Sequence, residues 1–156
     1  MQDIISYVRA LGGVLVLEPR EGDGSPEIAW GDVFFYYAPD GVVPRTQPFA
    51  TVVTKDYPGE PSSGLDRSPG SFRVNVGAST EEFVRWTGRS PKDPVPEGTD
   101  VTVRDTVLPH PVYARQGWLC VVDPGPGTAP AVRELLTSAH GRARDRVRRR
   151  RAPAGG

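Results

Sequence analysis

The chain contains a single cysteine, Cys120, among 156 residues. A disulfide within the chain and a cysteine-based zinc site both need at least two cysteines and are therefore excluded. Cys120 lies in an apolar run and is expected to be a buried, unreactive thiol. No apolar stretch approaches the roughly 20 residues needed to span a bilayer, and the first residues lack the pattern of a secretory signal. We therefore expect a soluble, cytoplasmic protein with no membrane partner.

Established catalytic and metal-binding motifs are also missing. The sequence has no phosphate-binding loop, no GxGxxG, no HExxH and no GxSxG. Its two histidines, His110 and His140, lie far apart, and they have no ligand spacing on one helix. His140 is expected near the surface or in the last turn of a helix. We therefore predict no metal site and no cofactor.

Glycine and proline, by contrast, are abundant, with 18 and 17 residues respectively. Because they follow no period, this composition indicates a compact domain with many turns, and the length fits one domain. The net charge of zero hides an asymmetry, since residues 142–151 carry seven arginines and one aspartate. We predict one domain over residues 1–147 and a basic, disordered tail over 148–156.

The hydrophobic pattern predicts an α+β fold. The second helix has a clear start, because Ser79 and Glu82 have the spacing of a capping box. The absence of βαβ alternation favours an antiparallel sheet packed by an N-terminal and a C-terminal helix. The predicted helices cover 2–11, 79–88 and 129–148; the predicted strands cover 14–19, two strands within 27–41 that turn at Gly31-Asp32, 48–55, a half-buried strand at 71–77, and 117–124.

The aromatic segment 30–37 is the first candidate for a ligand pocket. Alternation sends Tyr36 and Tyr37 to opposite faces of a strand, so one belongs to the core and the other packs under a helix or lines a cavity. Ligand pockets are mostly apolar with a few polar groups. Trp30, Tyr36, Tyr37 and Trp118 are therefore pocket candidates, although plain core packing is the favoured alternative.

The stretch TVVTKDYPGE places Lys55, Asp56 and Tyr57 between a predicted strand and a Pro-Gly break. Neighbouring strand residues point to opposite faces, so Lys55 and Asp56 should diverge. A loop-capping role is favoured for Asp56 and a loop-anchoring role for His110, which lies between two prolines; acid–base catalysis is the alternative. The catalytic candidates are Asp56, Tyr57 and His110, and the further ligand-binding candidates are Lys55, Arg67 and Tyr113.

The arginine-rich C-terminus is a candidate for nucleic-acid binding, since arginines contact phosphates. It lacks interleaved aromatic residues and follows an acidic body, so nucleic acid is not the favoured partner. A basic helix end is also stabilised by the helix dipole. The residues that would contact nucleic acid are Arg142, Arg146, Arg149 and Arg150.

Three blocks of the sequence carry a resemblance: PEIAWGDVFFYYAPDG, QPFATVVTKDYPGEPSSGLDRSPGSFRVNVG and LPHPVYARQGWLCVVDPG. Together they resemble a family of small actinobacterial proteins with a domain of unknown function, over about residues 1–147. More distantly, the plan is similar to that of MmcQ/YjbR-like proteins. The resemblance implies a compact two-layer α+β domain and no particular reaction, and it suggests a role in specialised metabolism or self-protection.

These observations rank three functions. The first is the binding of a small ligand or partner, motivated by the aromatic segment and the lack of a catalytic motif. The second is an acid–base enzyme acting on a specialised metabolite, which requires the loops at 54–60 and 106–113 to converge. The third is nucleic-acid binding through the arginine-rich end.

Overall fold

The computed structural model describes residues 1–151 and contains one antiparallel sheet with three helices. This confirms the predicted single α+β domain. The helices are α1 (Gln2–Ala10), α2 (Thr80–Thr87) and α3 (Ala129–Arg151). The strands are β1 (Val14–Leu17), β2 (Val33–Tyr37), β3 (Ala50–Val53), β4 (Arg73–Gly77), β5 (Val107–Pro109) and β6 (Trp118–Val122).

The sheet has the strand order β1-β2-β3-β4-β6-β5, and every neighbouring pair is antiparallel. The register sets Thr51 opposite Asn75, and Asn75 opposite Cys120. Directly opposed residues share a face, and residues two apart on a strand do as well. Arg73, Asn75 and Trp118 therefore lie on one face of the sheet, and Val74, Val76 and Leu119 on the other.

The main hydrophobic core lies between the sheet and the helices. Helix α1 contributes Ile5 and Val8 at a spacing of three residues, and both are fully buried. Phe35 of β2 is also fully buried there. The sheet face that carries Arg73 is turned away from this core, because the core residues of β4 are Val74 and Val76. The remaining core residues from the helices are Phe83, Val132, Leu135, Leu136, Ala139 and Ala143.

The start of α2 confirms the capping box predicted from the sequence. The Ser79 hydroxyl accepts the Glu82 N–H at 3.1 Å, and the Glu82 carboxylate accepts the Ser79 N–H at 3.0 Å. The helix ends at Gly88, whose φ of 74° is the left-handed conformation that favours glycine at this position.

The hairpin predicted at Gly31-Asp32 is wrong. A 3₁₀ turn occupies Glu27–Ala29, and only β2 follows it, paired with β1 and β3. Gly31 has a φ of 86°, as a turn residue would, but Asp32 is buried rather than exposed at a turn. The Asp32 carboxylate instead points inward, where it accepts hydrogen bonds from Thr54 and Lys55, the two residues that follow β3.

Strand β4 differs from the half-buried strand predicted at 71–77. Arg73 and Asn75 alternate with valines as expected, yet they are buried as well, with 5% and 2% of their surface exposed. The strand lies in the interior of the sheet, between β3 and β6. The chain segments after β3 and β5 also cover its second face.

The C-terminal helix also departs from the prediction. His140 is buried rather than exposed, its Nε2 lies 2.7 Å from the Gly12 carbonyl oxygen, and its ring meets the edges of Tyr37 and Phe49. Helix α3 continues to Arg151, so residues 148–151 of the predicted disordered tail are helical. Residues 152–156 of that tail lie outside the described residues.

Arg142 connects α3 to the rest of the fold. Its guanidinium donates to the Glu82 carboxylate and to the Gly77 carbonyl oxygen, each at 2.7 Å. These bonds join α3 to the start of α2 and to the end of β4, and the ion pair is partly shielded from solvent. Arg142 therefore has a structural role, because it joins three elements of the fold.

We predict that Arg142→Ala lowers the free energy of unfolding by about 1–2 kcal/mol, because two charge-assisted hydrogen bonds are lost. Arg148→Ala, which removes an exposed arginine from the same helix, is the matched control and should change stability by less than about 0.5 kcal/mol. Urea denaturation of the two variants measures the difference. Equal effects would show that Arg142 is only part of a diffuse basic surface.

Candidate ligand-binding site

A pocket of about 290 Å³ opens on the sheet face that points away from the helices. This volume is near the lower end of the range of small-molecule pockets, about 300–1,000 Å³. The sheet residues that line it are Phe34, Thr51, Val53, Arg73, Asn75 and Trp118. The loop residues that complete it are Gln47, Pro48, Tyr57, Glu60, His110 and Tyr113.

Arg73 is the central polar group of this pocket. Its Nε donates to Asn75 Oδ1 at 2.8 Å and its Nη1 to Ser63 Oγ at 2.7 Å. Asn75 is fixed in turn, because its Nδ2 donates to Thr51 Oγ1 at 3.0 Å. None of the ion pairs formed within residues 1–151 includes Arg73. The guanidinium is therefore held in place by neutral acceptors, and its charge is not neutralised by a carboxylate.

His110 lies beside Arg73, and its protonation follows from its contacts. Its Nδ1 accepts the backbone N–H groups of Val112 and Tyr113, each at 3.0 Å, so Nδ1 carries no proton. A neutral ring must then carry its proton on Nε2, which is 3.5 Å from Arg73 Nη2. Burial, with a smaller contribution from the Arg73 charge, lowers the pKa of His110 from 6.5 to about 3 and keeps the ring neutral.

Asp56 organises the loop that supports Arg73. Its carboxylate accepts the Ser62 hydroxyl at 2.8 Å and the Ser63 N–H at 2.9 Å. Ser63 is buried and is the residue whose Oγ accepts from Arg73. Asp56 thus takes the loop-capping role favoured from the sequence, and it is not among the residues that line the pocket.

Lys55 and Tyr57 both turn to Asp32, on the other side of the chain from Asp56. Lys55 Nζ lies 3.1 Å from Asp32 Oδ1, and the Tyr57 hydroxyl donates a short hydrogen bond to Asp32 Oδ2. Thr54 also donates its backbone N–H and its hydroxyl to Asp32 Oδ1, at 2.9 and 3.0 Å. Burial, and then the bond to Asp32, raises the pKa of Tyr57 above its usual range. Lys55 and Asp56 therefore diverge, as alternation predicted.

Aromatic side chains form the walls of the pocket. The rings of Tyr113 and Trp118 lie 5.0 and 6.5 Å from the His110 ring, between centroids. Tyr57 packs against a small second core formed by Val53, Leu65 and Val122. Cys120 lies behind them, and burial raises the pKa of its thiol to about 12, consistent with the predicted unreactive cysteine.

The structure brings together some of the predicted site residues and leaves others apart. His110, Tyr57, Tyr113 and Trp118 line the pocket, because the loops after β3 and β5 converge over the sheet. Trp30 instead donates its Nε1–H to the Ser25 carbonyl oxygen at 3.2 Å. The remaining predicted ligand-binding residues also lie outside this pocket: Tyr36 and Tyr37 line a small cleft of about 30 Å³ beside α3, Lys55 contacts Asp32, and Arg67 is exposed.

The predicted set omits several residues that line or support the pocket, and four of them carry its polar contacts: Asp32, Ser63, Arg73 and Asn75. Arg73 and Asn75 were assigned to a solvent face because polar residues alternate with valines in β4. The alternation of β4 is the same as that of a strand with one exposed face, so it gave no signal that Arg73 and Asn75 are buried. Ser63 and Asp32 lie in irregular segments outside the helices and strands, where sequence patterns do not reveal burial.

The arginine-rich end of α3 forms a separate cleft. Arg142, Arg146 and Arg150 line a depression of about 300 Å³, which shares Trp118 with the ligand pocket. Burial, followed by the charges of neighbouring arginines, lowers the pKa of Arg146. Arg149 is exposed. Nucleic-acid binding by these four residues stays a prediction, with Arg142 already engaged by Glu82 and Gly77.

Metal binding and membrane insertion are two further possibilities for residues 1–151. That part of the chain contains no group of three or more His, Cys, Asp or Glu side chains placed to hold a metal ion. None of the three helices, over the same residues, is both long enough and apolar enough to cross a membrane.

The sequence matches a family model over residues 1–152. The chain belongs to DUF6194, a family of unknown function. A search of curated proteins and a search of solved structures each found no match. The predicted membership of a family of unknown function is therefore confirmed, whereas the actinobacterial origin and the similarity to MmcQ/YjbR-like proteins stay predictions.

Among the residues beside the pocket, we expect substitution of Asp32 to lower the free energy of unfolding the most. We predict that Asp32→Asn lowers the free energy of unfolding by about 2–4 kcal/mol, because the negative charge that pairs with Lys55 is lost and the amide offers one acceptor oxygen where Thr54, Lys55 and Tyr57 now use two. Glu21→Gln is the control, since Glu21 is exposed, and it should stay within about 0.5 kcal/mol of the parent. Urea denaturation monitored by circular dichroism measures both. A loss below about 1 kcal/mol would contradict the anchoring role of Asp32.

The lowered pKa of His110 predicts a dependence of stability on pH. The unfolded chain binds a proton at this ring below pH 6.5, whereas the folded protein does so only near pH 3. Stability is therefore fully present above pH 6.5 and is lost as the pH falls, by up to about 1.4 kcal/mol per unit.

His110→Asn separates this effect from the titration of other groups. An asparagine Oδ1 occupies the place of Nδ1 and accepts the same two backbone N–H groups, but it does not titrate. Between pH 7.5 and 5 the parent should lose about 2 kcal/mol more stability than the variant. Identical pH profiles would show that His110 titrates normally in the folded protein.

Proposed function

We propose that the protein binds a small organic molecule in the pocket between the sheet and the loops after β3 and β5. The observation that carries this proposal is the fixed polar floor of the pocket. Arg73 and Asn75 each donate hydrogen bonds to buried or half-buried partners, so these two side chains are held in place before a ligand arrives. Pre-organisation of this kind reduces the entropic cost of binding.

The walls support the same function. Phe34, Tyr113 and Trp118 offer apolar surface, and polar groups are confined to a few positions at the floor and the rim. This combination is typical of small-molecule sites. A role of such binding in specialised metabolism or self-protection is part of the proposal and rests on the sequence resemblance alone.

An acid–base enzyme remains the alternative, because Tyr57 and His110 line the same pocket. Three contacts favour binding over catalysis. The Tyr57 hydroxyl is bonded to Asp32, His110 Nδ1 is occupied by two backbone donors, and Asp56 is bonded within its loop. None of the three predicted catalytic groups therefore presents a free base to a ligand.

The three tryptophans provide a direct test of ligand binding. Trp118 lines the pocket, whereas Trp30 and Trp86 do not. In a two-dimensional ¹H–¹⁵N NMR spectrum each indole N–H gives its own signal. We expect at least one compound, from a panel of small charged and neutral aromatic and aliphatic molecules, to shift the Trp118 signal and leave that of Trp86 in place. Trp118→Phe assigns the signal.

A pair of variants controls for binding elsewhere on the surface. Thr51→Phe places a ring in the pocket and should abolish the shifts, whereas Thr106→Phe adds the same ring at an exposed threonine outside the pocket and should preserve them. Absence of any shift at millimolar concentrations across the panel, or shifts that survive Thr51→Phe, would contradict the proposal.

A further inference from the structure

We infer that the ligand is an organic monocarboxylate whose carboxylate accepts hydrogen bonds from Arg73 Nη2 and His110 Nε2. This inference rests on the proposed function and specifies the chemical class of the ligand. It follows from the donors that face the pocket, the net charge of the floor and the apolar surface around it.

One side of the Arg73 guanidinium, at Nη2, lies against His110. Nε and Nη1 have protein acceptors in Asn75 and Ser63, but within residues 1–151 the hydrogen-bonding contact of Nη2 is with His110 Nε2, at 3.5 Å. His110 Nε2 cannot accept a hydrogen bond from Nη2, because the two backbone bonds to Nδ1 require the proton of the neutral ring to be on Nε2.

The consequence is that two donors lie side by side with no acceptor between them. Buried donors are rarely left without a partner, because an unsatisfied donor loses its hydrogen bonds to water without replacement, and the penalty is larger for a charged group. An oxygen placed against both nitrogens would satisfy them together. A carboxylate does this well, since its two oxygens match the geometry of a guanidinium edge and of an adjacent N–H.

The charges of the pocket decide between a carboxylate and a phosphate. Arg73 supplies one positive charge and His110 supplies none, because its pKa is far below neutrality. Glu60 also lines the pocket and brings a negative charge to it. A ligand with a single negative charge is therefore favoured over a dianion, which would be only half neutralised and would be repelled by Glu60.

The remaining surface indicates what the carboxylate is attached to. Phe34, Val53, Tyr113 and Trp118 surround the floor, and the pocket holds only a small molecule. Contact with these side chains favours an aromatic or aliphatic body without further charges.

The experiment compares carboxylates with their neutral amides by isothermal titration calorimetry at pH 7. Suitable pairs are phenylacetate and phenylacetamide, 3-phenylpropionate and its amide, indole-3-acetate and its amide, and hexanoate and hexanamide; phenyl phosphate is the dianion. In every pair with a measurable member, the carboxylate is expected to bind at least tenfold more tightly than the amide. Phenyl phosphate is expected to bind more weakly than the best carboxylate.

Three variants assign the preference to the two donors. Arg73→Gln should abolish the tenfold preference, and His110→Asn, which keeps the backbone bonds of Nδ1, should reduce it severalfold. Arg67→Gln removes an exposed arginine that does not line the pocket and should leave the preference unchanged. Amide affinity and the Trp118 NMR signal show whether each variant still folds and retains its pocket.

The outcomes separate this inference from the proposed function. If amides and carboxylates bind equally, or if Arg73→Gln retains its amide affinity and its carboxylate preference, the monocarboxylate inference is wrong and ligand binding stands. If phenyl phosphate binds most tightly, the site takes a dianion and the inference is also wrong. If no member of any pair binds, both the inference and the proposed function fail.

Discussion

The buried positive charge of Arg73 is the constraint on which the rest of the pocket depends. Removing a guanidinium from water costs several kcal/mol unless its donors are matched. Here Asn75 and Ser63 match two of its nitrogens, and no carboxylate in residues 1–151 forms an ion pair with it. The fold therefore keeps a charge in its interior and leaves one side of it facing a cavity.

Strand β3 and the loop that follows it hold the Arg73 guanidinium in position. The register of β3 and β4 brings Thr51 to Asn75, which fixes one side of the guanidinium. The loop after β3 covers the sheet because two sets of hydrogen bonds hold it. Asp56 accepts from Ser62 and Ser63 within the loop, and the Tyr57 hydroxyl donates to Asp32, which precedes β2. The helices contribute to this site only indirectly, since they pack on the opposite face of the sheet.

The fold was predictable from the sequence, whereas the site was predictable only in part. Hydrophobic spacing located the three helices, β1, β3, β4 and β6, and the Ser79–Glu82 cap, because these depend on local patterns. The hairpin at Gly31-Asp32 was wrong, since the partners of the Asp32 carboxylate are more than 20 residues away. Arg73 was missed for a similar reason: an alternating polar residue looks solvent-exposed until the segment that covers it is known. Tyr57 was found because it follows the end of a predicted strand, and His110 because it lies between two prolines in a loop.

The state of the His110 ring tests the central claim most directly, because the two adjacent donors exist only in one tautomer. A long-range ¹H–¹⁵N NMR spectrum of the ligand-free protein at pH 7 distinguishes the two ring nitrogens. We expect a neutral ring with its proton on Nε2 and an unprotonated Nδ1 that accepts from Val112 and Tyr113. A proton on Nδ1, with Nε2 accepting from Arg73, or a doubly protonated ring would contradict the paired-donor site.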